Sequence, residues 1–143
     1  MNPNTQTKPF NLPQTNGITW LGIALLLVTA AIHFIDAPGS FEDANYKGVL
    51  FILNGIGALI AAIGVWRNER SWGWNLGALV AVSTALGYVF SRTVGLPQLP
   101  AEPQAWLESL GFASLIVELG FVAVYATHVL HAAPDPEFRK VSR

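Results

Sequence analysis

Long apolar runs alternate with short polar connections along this chain. The runs extend from Ile18 to Ile35, Gly48 to Trp66, Gly73 to Phe90 and Leu110 to Leu130. Each approaches the roughly 20 residues that a helix rising about 1.5 Å per residue needs to cross about 30 Å of hydrocarbon. A helix packed in a soluble core keeps a polar face, whereas these runs carry almost no charge on any face. The pattern predicts an all-α integral membrane protein with spans at about 18–36, 46–66, 73–92 and 106–131. A polar leader, 1–17, precedes the spans, and a basic tail, 132–143, follows them.

The small residues in "LLLVTAAIH" offer a signal-peptide alternative for the first span, but the polar leader is long for one, so an uncleaved anchor is expected. "IDAPGSFED" predicts that the first helix stops before Pro38, because proline disfavours a helical residue in front of it. Ser40 with Asp43 three positions on resembles a capping box opening the second helix. "VGLPQLPAEPQAW" reads as a stiff loop, with Pro103 as the first residue of the fourth helix. Short links make sequence neighbours antiparallel, so the expected architecture is an up-down-up-down four-helix bundle. Trp20, Trp66, Trp72, Trp74 and Trp106 fall at span ends, where an amphipathic ring prefers the headgroup region. Gly57 with Ala61 and Ala58 with Ala62 give the second span the small-residue spacing that lets helices approach closely, within the bundle or against a second copy.

Composition agrees with the pattern: 143 residues, 52% hydrophobic, 12% charged, mean hydropathy +0.42. With no cysteine there is no disulfide relay, thiol oxidase chemistry or iron–sulfur cluster. A net charge of −1 leaves no basic surface for nucleic acid. Lys8, Arg67, Arg70, Arg139, Lys140 and Arg143 lie in the leader, the middle link and the tail, whereas the other two connections have only Lys47 and Arg92 as cations. Those connections carry Asp36, Glu42, Asp43, Glu102 and Glu108. The bias predicts both termini in the cytoplasm and an acidic outer face.

Against this background, polar groups inside the spans carry the functional information. A charge at mid-membrane costs about 2.5 to 3.5 kcal/mol, so an ionisable residue there is a functional candidate. Glu118 lies ten residues past Glu108, roughly 15 Å below the outer boundary, as a functional group or as a protonated carboxyl bonded to a neighbouring helix. His33 lies one turn inside the outer face with Thr29 one turn deeper; it is a proton carrier, a metal ligand or, more plainly, a histidine bonded to Asp36. Asn54, Ser83 and Thr84 lie at a similar depth, about 12 Å into their spans, and with Thr29 and Glu118 suggest a polar layer that helix-to-helix hydrogen bonding alone would explain. Arg92 shares a stripe with Thr84 and Tyr88, with Asp36, Glu42, Asp43 and Glu108 as candidate partners. Glu42 and Asp43 also have a plain role offsetting a helix dipole.

A bis-histidine haem within one copy is disfavoured, because His128 and His131 lie roughly 20 Å from the level of His33; single-His ligation or a haem shared between copies stays open. A metal bound by His33, Glu42, Asp43 and Glu118 is a weaker alternative, without Glu-x-x-His or His-x-x-x-His spacing. No span lysine supports a retinal Schiff base, and nucleotide loops and hydrolase elbows are missing.

"NYKGVLFILNGIGAL", "GYVFSRTVGLP" and "ASLIVELGF" resemble segments of small four-helix bacterial integral membrane proteins that combine a first-span His, a "GVLF" opening to span two and a "SRTxGLP" exit from span three. The resemblance covers about residues 18 to 130. It implies a bacterial cytoplasmic membrane and that His33, Arg92, Pro97 and Glu118 go together, and it carries no activity.

The sequence therefore leads to a non-enzymatic membrane protein whose outward half encloses a polar pocket of His33, Asp36, Asn54, Tyr88, Arg92 and Glu118, binding a small ligand, ion or metal with proton exchange. Two other classes compete. One is a structural or accessory subunit in a homo-oligomer or larger membrane complex, and the other a haem- or metal-binding redox protein.

Overall fold

A computed structural model describes residues 17–67 and 71–131. The described chain forms four helices: α1 (Gly17–Asp43), α2 (Asn45–Trp66), α3 (Trp72–Thr93) and α4 (Ser109–His131). All four are long and apolar enough to cross a membrane. They pack as a closed ring, α1 on α2, α2 on α3, α3 on α4 and α4 on α1. Lys8, Arg70, Arg139, Lys140 and Arg143, most of the cations behind the orientation argument, lie outside the described residues, as do most of the leader and the whole tail.

Two helix boundaries differ from the sequence expectation. α1 does not stop before Pro38 but runs through it to Asp43, so the helix extends two turns further than the apolar run. A proline inside a helix removes one backbone donor, a loss tolerated where the freed carbonyl is re-satisfied locally. Ser40 consequently lies within α1 and caps nothing; the residue preceding α2 is Ala44, which has extended backbone and no side-chain cap. At the other connection, Pro103 does not open α4. Residues 102–108 form consecutive turns, with the Ala105 amide bonded to the Glu102 carbonyl and the Glu108 amide to that of Ala105, and the helix begins at Ser109.

The same connection contains a tight turn. The Leu96 and Leu99 backbones bond to each other in both directions, Pro97 takes the second turn position and Gln98 the third with φ 68°. That is the pattern of a type II turn, which normally reserves its third position for glycine. Gly95, with φ 93°, ends α3 by donating its amide to the Phe90 carbonyl. A hydrogen bond from the Tyr46 hydroxyl to the Pro97 carbonyl, 2.6 Å, ties the start of α2 to this turn. The α1–α2 junction and the α3–α4 connection therefore share one end of the bundle, hereafter the loop end.

The core in the other half is apolar. Phe121, Leu26, Ala58, Ala61 and Val65 are fully buried, so the small residues of α2 serve packing within this chain. Trp74 lies at the start of α3, as expected, but its ring belongs to this core: it is 5% exposed and stacks on Phe121 and on His128, with ring centroids 5.7 Å and 4.3 Å away. Trp20, Trp66, Trp72 and Trp106 keep the exposed positions expected of interfacial rings. Glycine makes two close approaches possible. A Cβ on Gly77 would stand 2.6 Å from the Phe121 ring, and one on Gly73 would stand 2.5 Å from the backbone of Gly64 and Val65.

The Gly73 contact is backbone against backbone and has no flexible side chain to yield, so Gly73→Ala should lower unfolding stability in detergent by about 1 to 3 kcal/mol. Gly87→Ala, which enters open space, should be neutral or stabilising by up to about 1 kcal/mol; comparing the two thermal unfolding midpoints checks both.

Candidate functional site

The expected pocket residues resolve into a buried pair, a helix-to-helix contact and a surface latch. The buried pair is His33 of α1 and Glu118 of α4, 2% and 1% exposed. His33 bonds to the Thr29 carbonyl through Nδ1 at 2.8 Å. A carbonyl only accepts, so Nδ1 carries the proton and, in the neutral ring, Nε2 is left as the lone-pair nitrogen. Nε2 faces Glu118 Oε1 at 3.9 Å, beyond hydrogen-bond length; closing by about 1 Å would make the bond. The Ser114 hydroxyl, one turn earlier on α4, donates to the same Oε1 at 2.6 Å. Glu118 Oε2 is buried without a hydrogen-bond partner.

On its other side the His33 ring rests on Phe51 of α2, with centroids 5.1 Å apart. Lys47 lies over the same Phe51 ring at 5.8 Å. The Lys47 charge is matched by Asp43 at 2.5 Å. Asp36, the partner expected for His33, is only half-buried and within electrostatic reach of the ring; the contacts the ring makes run to Thr29, Phe51 and Glu118.

Asn54 and Thr84 join α2 to α3: the Asn54 amide donates to the Thr84 hydroxyl, which itself donates to the Val80 carbonyl. Ser83 bonds to the same carbonyl of its own helix, at 3.0 Å. The expected polar layer is thus two separate contacts, α1 with α4 and α2 with α3. The second serves packing.

Arg92 is the latch. Its side chain is 6% exposed although it lies in the last turn of a helix, and the guanidinium bonds to Glu102 through Nη1 and to Glu108 through Nη2, each at 2.6 Å. The group lies over the Tyr88 ring at 4.9 Å, a cation–π contact, while the Tyr88 hydroxyl donates to the Trp106 carbonyl at 2.7 Å. The Glu102 amide also bonds to the Ser91 carbonyl. Of the acids proposed for Arg92, Glu108 is a partner and Asp36, Glu42 and Asp43 are not; Glu102 was not anticipated. The arginine straps its own following loop onto the end of α3 and the start of α4. Two acids following Arg92 within one short connection was the signal that reasoning by membrane level passed over.

The latch and the pair lie along one stripe that leads into α4, exposed at Glu108 and buried from Ser114 inward. Glu108, Gly111, Ser114 and Glu118 recur every three or four residues, and a Cβ on Gly111 would meet the Tyr88 ring at 2.6 Å and Arg92 Nη2 at 3.6 Å.

Of the weaker metal set, the structure brings together His33 and Glu118 only. Glu42 and Asp43 are exposed at the end of α1, and no group of three or more potential ligands occurs among the described residues. His128 lies ten residues beyond Glu118 along α4, about 15 Å away, and stacks on Trp74. A shallow groove lined by Ile18, Leu21, Ala123, Val124 and Thr127 is apolar and lies away from the polar residues.

No family model matches this chain, and no curated protein or solved structure does so either.

Because Arg92 is buried and its acids are exposed, losing one acid leaves the other to hold the charge. Glu102→Gln and Glu108→Gln should each cost about 0 to 1 kcal/mol. The double variant should cost clearly more than their sum, because the guanidinium then has no counter-charge. Amide hydrogen exchange over residues 94–108, read with thermal unfolding, checks the non-additivity.

Proposed function

We propose that this chain is an integral membrane protein that binds a small cationic species, a proton or a small ion, at the His33–Glu118 pair. The carrying observation is the pair itself: two ionisable side chains from different helices, each at most 2% exposed, 3.9 Å apart, with one carboxylate oxygen unpartnered. A purely structural carboxyl in an apolar bundle is expected to be fully hydrogen-bonded. Glu118 has a serine on one oxygen with an imidazole lone pair just out of reach of it, and no hydrogen-bond partner on the other oxygen. That arrangement holds one proton between two bases, or exchanges it for a small ion, without redox or covalent chemistry.

The surroundings support a cationic species. The loop end of the bundle carries Asp36, Glu42, Asp43, Glu102 and Glu108 against Lys47 and Arg92, five acids against two bases, so local cation concentration there is raised. In this reading the helices alternate up and down through a bacterial cytoplasmic membrane with both termini inside, an orientation that rests on the Lys/Arg bias of the leader, middle link and tail. Asn54, Tyr88 and Arg92 hold the frame around the site, and Asp36 stands at its edge.

Infrared difference spectra of the reconstituted protein between acid and alkaline buffer should contain a carboxyl band that disappears in Glu118→Gln. In His33→Gln the band should persist with a displaced midpoint. A spectrum unchanged by Glu118→Gln, with the variant still folded, would overturn the proposal.

A second reading is an accessory subunit, and one observation favours it: only 17% of the apolar window of α4 is buried in this chain, the least of the four helices. Purification in mild detergent separates the two. A stoichiometric second chain co-eluting and lost on changing Leu119 and Ile116 to alanine would favour docking, and elution alone or as a self-assembly would not.

A further inference from the structure

Among the described residues, the buried side-chain polar atoms without a hydrogen-bond partner are Ser40 Oγ, Asn54 Oδ1, Arg92 Nε and Glu118 Oε2. All four belong to the half of the bundle towards the loop end. Ser40 is in the last turns of α1 and Arg92 in the last turn of α3, while Asn54 and Glu118 lie about 13 Å along their helices from that end. Buried polar groups left open by the protein are ordinarily completed by internal water.

The residues between the surface and Glu118 are small on both walls. On α1 the buried positions after His33 are Ala37 and Ser40, and on α4 the one before Glu118 is Ser114; Gly111, one turn nearer the loop end, is half-buried against the Tyr88 ring. Beyond Glu118 the character reverses. Phe121, one turn on, is completely buried and stacks on Trp74. Leu26 is 1% exposed, and Gly22 and Gly77 let helix backbones close around these rings with no room for a Cβ.

We propose that the His33–Glu118 pair is reached from the loop end alone, along a hydrated track between α1 and α4 past Ser40, Ala37 and Ser114, with the Arg92 latch and Tyr88 over its entrance and Phe121, Trp74 and Leu26 sealing its floor. This deepens the proposed cation site by assigning its access. The site is then a blind well that exchanges protons or small cations with one side of the membrane, and a through-path is closed. The ionisable and charged groups on the elements around the track are His33 and Asp36 from α1, Glu118 from α4, the Arg92–Glu102–Glu108 cluster from α3 and its loop, and Lys47 of α2, which lies over the Phe51 ring.

The absence of cysteine makes the test direct, since any introduced thiol is unique. Ala37→Cys, Ser114→Cys and Ala58→Cys are made separately in the full chain, reconstituted in vesicles and exposed on one face to Ag⁺ in chloride-free buffer. Thiols left unreacted are counted with a maleimide after unfolding. Ala37→Cys and Ser114→Cys should react from the loop-end face and be spared from the other, Ala58→Cys should be spared from both, and Arg92→Gln should speed the first two several-fold. Two results overturn the track: reaction of any of the three from the opposite face, or sparing of both Ala37→Cys and Ser114→Cys even with Arg92→Gln. Labelling does not depend on whether Glu118 titrates, so failure of the access route and failure of the cation site are read separately.

Discussion

Everything distinctive about this bundle follows from placing a carboxyl group where no bulk water can solvate it. Inside hydrocarbon or a packed apolar core, a polar group must find its partners on other helices or draw water inward. Glu118 finds its partners only in part. Ser114 satisfies one oxygen from its own helix, His33 approaches the same oxygen from α1, and the second oxygen stays open. His33 is in turn oriented by the Thr29 carbonyl and by the face of Phe51, so three helices converge on one carboxyl.

The remaining polar contacts divide into those that hold helices together and those that hold the loop end shut. Asn54 with Thr84 belongs to the first kind, worth on the order of 0.6 kcal/mol as membrane hydrogen bonds go. Arg92 belongs to the second. A guanidinium buried on an aromatic face and clamped by two carboxylates keeps 15 residues of connection compact, and the Tyr46–Pro97 bond pins that connection to α2.

The four helices were legible because an unbroken apolar run of about 20 residues has few other physical meanings. Depth was legible too: Glu118, Asn54 and Thr84 lie within the interior of their helices as counted from the span ends. What single-sequence reading could not supply was direction around each helix. His33 and Asp36 share a stripe, which suggested a bond, but the His33 ring turns across to α4. Trp74 looked interfacial by position along the chain, yet its face of α3 points inward onto Phe121. Arg92 was matched with acids at its membrane level when the shorter route, through its own following loop to Glu102 and Glu108, decided the pairing. Proline misled twice. Its steric rule is a preference, overruled in α1 by packing on α2, and at Pro103 a permissive first-turn residue proved insufficient to start a helix.

The continuation of α1 through Pro38 has a consequence in bilayer dimensions. At 27 residues α1 is about 40 Å long, against about 33 Å for the 22 residues of α2 or α3. The surplus lies at the loop end, where Asp36, Glu42 and Asp43 ride on rigid helix. A hydrocarbon layer of about 30 Å cannot cover such a helix without tilt, so its last turns stand in the headgroup region. Host membranes of different thickness will therefore place His33 at different depths, and the polarity around the buried pair becomes a property of the lipid as well as of the protein.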